Sequence, residues 1–205
     1  MQEKQILNRI AKAEQRIVDL YRKLTGSNTS TLDYKVFTAL LTQSGGSSTV
    51  NATSGLLKVG LSYDIDTYNA GDDFSNVGGP AAGLPGEWDG YSFLATGTTP
   101  NNWNNSSLLI SDEGAPVATV LENTIGNIWF TYGNTSGVYG VNSDGLFTEK
   151  TFMEVLNVTD INNNDSGNAF IGVGLLEDDS QLTIQSVAST DGDMYNTPIE
   201  IRVYK

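Results

Sequence analysis

The chain has 205 residues, enough for one ordinary domain and an appendage, and its 11 basic residues face 24 acids for a net charge of −13. It contains no cysteine and no histidine, which excludes disulfide scaffolds, thiolate chemistry and every Ser-His or Cys-His nucleophile arrangement. The charge is divided unevenly: residues 1–25 carry six Lys/Arg against three acids, and the remainder five against 21, a net of −16. So acidic a body repels phosphate backbones and anionic surfaces, which makes nucleic acid and membranes unexpected partners.

The first 24 residues, MQEKQILNRIAKAEQRIVDLYRKL, place Ile6, Ile10, Ala13, Ile17, Leu20 and Leu24 at alternating spacings of four and three. That is a heptad seam, narrower than the stripe of a helix lying on its own domain. With Ile6, Ala13 and Leu20 at d, positions a are Ile10, Ile17 and Leu24, and Leu7 and Tyr21 at e widen the apolar face. Ile at a with Leu at d favours two strands and Ile at both favours three; d here mixes Ile, Ala and Leu, and the wide face leans the choice to a parallel trimer over a dimer. The other reading is a lone helix docked on its own β-domain, but the polar TGSNTST that follows separates the two. Three heptads are marginal alone, because five large seam residues contribute roughly 7–15 kcal/mol gross and association costs about 4–15 kcal/mol. The β-domains are therefore expected to share in assembly. The charged start lacks the apolar core of a secretory leader, and no run approaches the roughly 20 apolar residues of a membrane span.

Residues 26–31 read as a linker, and 32–205 as short strands joined by Gly- and Asn-rich turns. YKVFTALLTQSG alternates as a strand, as does GLLKVGLSYDIDTY up to Tyr68. A long loop punctuated by Gly and Pro runs to Gly86, followed by WDGYSFLAT as a strand, TTPNNWNNSS as a turn and SLLISDEG as a short strand. Residues 115–143 hold about three strands, broken at Gly126, Gly133 and Gly137, and FTEKTFMEVLNVTD follows. IGVGLL and LTIQSVA alternate, and IEIRVYK closes the chain with Ile199, Ile201 and Val203 on one face. Turn signals every 8–12 residues or so predict a mainly β fold, an antiparallel β-sandwich of jelly-roll type.

Three phrases carry a resemblance: YKVFTALLTQSG (34–45); GLSYDIDTYNAGDDFSNVGG (60–79) with FLATGTTPNNW (93–103); and APVATVLENTIGNIWFTYGNTSGVYGV (115–141) running into 147–152. They are similar to modules in virion fibre proteins of tailed bacteriophages infecting Bacteroidota, crAss-like phages included. The resemblance implies a phage structural protein, a trimeric head or tail fibre contacting other virion proteins, with no catalytic residues to carry over. In such relatives the first and third phrases are expected to lie closer together, so residues about 46–114 read as an inserted segment.

Two kinds of residue cluster are candidates for chemistry. Asp72-Asp73, Asp160-x-Asn162-x-Asn164-Asp165, Glu177-Asp178-Asp179 and Asp191-Gly192-Asp193 offer oxygen ligands for Ca²⁺. The 160–165 run departs from the EF-hand loop, and Asp and Asn dominate tight turns for their own hydrogen-bonding reasons, so no metal or other cofactor is expected. GEWDGY sets Trp88 between Glu87 and Asp89, with Trp103 on a nearby turn. Aromatic faces stack on sugar rings and carboxylates bind their hydroxyls, which makes Glu87, Trp88, Asp89 and Trp103 candidate glycan contacts; strand-end packing of amphipathic Trp is the alternative. No carboxylate pair stands out as a glycosidase pair, so the chain is read as a non-enzyme. The expected whole is a homotrimeric virion fibre, made in the host cytoplasm, that projects a β-head for attachment to host-surface glycan. The rival readings are a capsid decoration or connector with no receptor, and a polysaccharide-degrading spike.

Overall fold

The computed structural model describes residues 34–148, 150–155, 170–171, 179–186, 191–192 and 194–205. The heptad seam from Ile6 to Leu24 lies outside the described residues, as does the cluster of Asp160, Asn162, Asn164 and Asp165.

The described chain is mainly β, with antiparallel sheets. Its strands are β1 (Tyr34–Thr42), β2 (Thr49–Ala52), β3 (Ser62–Thr67), β4 (Ser92–Leu94), β5 (Leu108–Asp112), β6 (Val117–Asn123), β7 (Ile128–Tyr132), β8 (Val138–Ser143), β9 (Thr151–Val155), β10 (Phe170–Ile171), β11 (Gln181–Ser186) and β12 (Thr197–Tyr204). They form three four-stranded sheets, ordered β6-β1-β12-β9, β10-β11-β8-β7 and β2-β5-β3-β4.

The first two sheets share one core. Alternation along β1 turns Phe37, Ala39 and Leu41 inward, and along β12 Ile199, Ile201 and Val203. The second sheet answers with Ile128 and Phe130 from β7, Tyr139 and Val141 from β8, and Leu182 and Ile184 from β11. Phe37 and Phe130 meet across this layer with ring centroids 6.1 Å apart. Each fully buried side chain of this size contributes about 1.5–3 kcal/mol, so period-2 apolar patterning drives the pairing of the two layers.

The third sheet is drawn wholly from residues 49–112, within the segment that the sequence reading treats as inserted, and it has a core of its own. Tyr63, Ile65, Phe74, Phe93, Trp103 and Leu109 are buried there, with Phe74 edge-on to Trp103 at 5.6 Å and tilted against Phe93 at 6.2 Å. β2 is the strand that the sequence reading lacks. Its four residues are exposed or half-buried, so they carry no alternation to betray them; pairing with β5, from Thr49 opposite Asp112 to Ala52 opposite Leu109, makes it a strand.

Two links tie the third sheet to the rest. Gly60 donates its N–H to the Ala95 carbonyl at 2.7 Å and accepts from Ala118 N–H at 2.8 Å. Gly60 has a positive φ of 81°, and a Cβ there would lie 2.2 Å from the Ala118 carbonyl oxygen, so only glycine permits the approach. At the other link, the free edge of β7 is closed by side chains and backbone of β3 and β4, which shapes the site described next.

Candidate functional site

On β3, Tyr63 and Ile65 face the core of the third sheet, while Asp64 lies on the opposite face, paired with Ser92 on β4 and Ile110 on β5. Strand periodicity then puts Asp112 on the same face as Ile110, opposite Thr49 of β2. This face turns toward β7, an edge strand of the second sheet. Phe130 donates its backbone N–H to Ser62 Oγ at 2.8 Å, and Asn127 donates its side-chain amide to the Ser92 carbonyl at 2.8 Å. A cleft of about 240 Å³ remains between the two, lined among others by Asp64, Ser111, Asp112, Trp129, Thr131 and Tyr132. Among the described residues no Lys or Arg lines it.

Trp129 and Thr131 reach the cleft because Ile128 and Phe130, their neighbours on β7, are taken by the core. Across the ladder, Trp129 sits opposite Asn142 and Thr131 opposite Gly140. A Cβ on Gly140 would lie 2.4 Å from Thr131 Oγ1, so glycine keeps this face flush. Asn142 donates to Thr131 Oγ1 at 3.1 Å. The half-buried indole of Trp129 therefore stands among hydroxyls and amides.

The two cleft carboxylates differ in how they are used. Asp112 is committed to its own loop: Oδ1 accepts from Ser48 N–H and Gly114 N–H, both at 2.8 Å, and Oδ2 from the Ser47 hydroxyl at 2.6 Å. Asp64 accepts a long contact of 3.4 Å from the Ser92 hydroxyl. Burial pushes its pKa above the ordinary Asp value; the Ser92 hydroxyl works against this and the nearby Asp66 charge adds to it. Tyr63, also at the cleft, is raised by burial, with the Lys58 N–H lowering it and Glu113 raising it further.

The GEWDGY loop is arranged differently from the glycan loop expected of it. Glu87 Oε2 accepts the Leu84 N–H, and Asp89 Oδ1 accepts the Tyr68 N–H, each at 2.6 Å. Glu87 holds its own turn, and Asp89 ties the loop to the end of β3 at Tyr68. Trp88 packs half-buried against the third core and edge-on to Tyr91 at 5.7 Å. Trp103 is a correction: it is 8% exposed, in the core, and its indole N–H donates to the Ser107 carbonyl at 2.8 Å. An indole enclosed in this way has no face left for a sugar. Glu87 and Asp89 are exposed, Trp88 is half-buried against the third core and Trp103 lies within it, while Trp129 is among the aromatics that line the cleft.

Among the acidic runs, Asp72 is fully buried and accepts from Asn105 N–H and Ser107 N–H at 2.9 Å and from the Ser107 hydroxyl at 2.7 Å. Asp73 accepts from Ser75, by its N–H at 2.9 Å and its hydroxyl at 2.6 Å, and these bonds lower its pKa. Both act as turn builders. No group of three or more Asp, Glu, His or Cys able to hold a metal occurs among the described residues.

The signal for the cleft in sequence was partial: SYDIDT leaves Asp64 and Asp66 on the face away from its core, but LLISD leaves Leu108 and Ile110 there and IWFTY is an apolar run. What alternation does not tell is that the three faces converge. Comparison with protein-family models, with curated proteins and with solved structures finds no match to this chain.

Proposed function

We propose that this protein is a homotrimeric virion fibre of a tailed phage, in which a parallel coiled coil over residues 1–25 carries a jelly-roll-like β-sandwich head that attaches to host-surface glycan. The cleft beside β7 is the attachment site. The observation that carries the reading is the composition of this cleft, which a half-buried Trp129 lines together with Thr131 and Asp64. An indole offers a flat apolar face to a sugar ring, while hydroxyl and carboxylate oxygens meet its hydroxyls. The resemblance of residues 34–45, 60–79 and 115–141 to phage fibre modules and the heptad seam support the virion setting. Asp112, bound by three donors, is spent on holding the 45–48 loop, which favours holding a sugar over hydrolysing a glycosidic bond.

Three weak heads on one stalk, and many stalks on one particle, raise attachment through effective concentration. Native mass spectrometry of the full chain, combined with an array of bacterial surface polysaccharides, tests the reading. The expected result is a mass of three copies and retention of glycan with no shortened product released. A monomeric mass removes the fibre, and an array on which nothing is retained removes the attachment.

A further inference from the structure

We infer that the cleft takes a sugar ring bearing a free amino group, with the ammonium held by the Asp64 carboxylate beside the indole of Trp129. This inference rests on the glycan-attachment reading and narrows it to a chemical class.

Size comes first. At about 240 Å³ the cleft is smaller than the roughly 300–1,000 Å³ of sites for drug-sized ligands, so it suits one ring or the end of a chain.

Charge comes next. Among the described residues no basic side chain lines the cleft, and residues 26–205 carry a net of −16, so uronates, sialates and phosphorylated sugars are repelled. The ion pair found among the described residues, Arg202 with Glu200, lies on β12 and away from the cleft lining. Asp64 is thus an exposed carboxylate of the cleft lining with a single long hydroxyl contact and Asp66 as a neighbouring acid. A charge in that setting favours a cation.

The kind of cation follows from the oxygens on offer. A divalent ion such as Ca²⁺ needs about six to eight oxygen ligands, and Asp112 already directs both of its oxygens at the 45–48 loop and Gly114. An ammonium needs fewer partners. One carboxylate and one aromatic face satisfy it, and Trp is the strongest aromatic partner for a cation. The ring hydroxyls then meet the hydroxyl of Thr131 in the lining.

The test is calorimetric titration of the full-length protein with glucosamine, N-acetylglucosamine and glucuronate. The expected order is glucosamine tighter than N-acetylglucosamine by roughly tenfold, with no binding of glucuronate. Asp64→Asn is expected to abolish the preference and bring glucosamine down to the level of the acetylated sugar, since the amide keeps an oxygen for ring hydroxyls but loses the charge that holds the ammonium. Trp129→Ala is expected to lose both sugars, with a far-UV spectrum like that of wild type confirming the fold. Equal affinity for the two sugars, or an Asp64→Asn variant that keeps the preference, overturns the amino-sugar inference and leaves glycan attachment standing. Failure of every neutral and amino sugar to bind overturns both.

Discussion

The backbone N–H of Phe130 donates to Ser62 Oγ at 2.8 Å, joining two residues 68 positions apart. Phe130 belongs to the core between the first two sheets and Ser62 to the third sheet, so this bond sets one wall of the cleft against the other. Both groups are buried, and an unmet buried donor costs about 1–3 kcal/mol. Ser62→Ala is therefore expected to lower stability by about that amount in urea unfolding, and to weaken any ligand held between the walls. Unchanged stability would mean that the bond does not hold the sheets together.

Asp72 is the centre of a second buried network. It collects three donors from Asn105 and Ser107, while its own carbonyl accepts the Tyr68 hydroxyl. Asp72→Ala leaves these donors without partners and is expected to cost roughly 2–4 kcal/mol. Asp72→Asn keeps an acceptor and should fall between that variant and wild type. The order of the three proteins in denaturant midpoint is the readout.

Asp191 joins a loop to the β7–β8 hairpin. It accepts from the Tyr132 hydroxyl at 2.8 Å, Gly137 N–H at 2.9 Å and the Tyr139 hydroxyl at 3.2 Å. Burial alone would raise its pKa, but the Gly137 N–H and the Tyr132, Ser136 and Tyr139 hydroxyls together hold it below the ordinary Asp value. A carboxylate whose folded pKa is depressed stabilises the fold above its unfolded pKa, and that contribution disappears as pH falls through the folded value. Melting temperature is expected to drop on acidification below the usual carboxylate range, and Asp191→Asn should flatten that acid limb. Identical acid limbs in the two proteins would exclude Asp191 as a contributor.

Asp64 has the opposite sign. Its folded pKa is raised, by burial first, so its contribution is fully present below the unfolded pKa and is lost as pH rises through the folded one. At neutral pH the charged form opposes folding, weakly because the side chain keeps water contact. Asp64→Asn should therefore melt slightly higher than wild type at pH 7, and the gap should close in acid. A carboxylate kept at a cost to stability is what a binding role entails.

The assembly proposal concerns residues outside the described chain and has its own test. Ile10→Asn with Ile17→Asn places two polar groups at a positions of the seam, which lowers coiled-coil stability. The double variant is expected to shift native mass from three copies toward one at low micromolar concentration, and deletion of residues 1–24 to do the same. In a phage carrying this chain, that deletion is also expected to abolish incorporation into the particle. An unchanged mass would mean that the seam does not drive assembly.

Period-2 patterning made most strands legible. TPIEIRVY alternates buried and half-buried residues almost to its end, and the breaks at Gly126, Gly133 and Gly137 fall between β6, β7 and β8 as expected from their backbone freedom. β2 was illegible because Thr-Val-Asn-Ala is too short a run among Ser, Thr and Gly to mark a strand, and its pairing with β5 supplies what local sequence lacks. Trp103 stands among polar neighbours in sequence, yet the third sheet fills a core of its own with it, while Trp88 packs half-buried against that core. Trp129, inside an apolar run, reads as core until the partition of Ile128 and Phe130 leaves it outside.

The amino-acid sequence by itself determined the β class, the acidic body, the absence of thiol and imidazole chemistry and which residues of each strand share a face. These are local or additive properties, set by side-chain period and composition. The tertiary structure alone decided that Asp64 and Asp112 line one cleft with Trp129, because β3 and β5 share a sheet while β7 belongs to another. Their approach depends on a glycine that lets Gly60 lie against Ala118 and on one hydroxyl, that of Ser62, placed to receive the N–H of Phe130. Contacts of that range are chosen by the packing of whole layers.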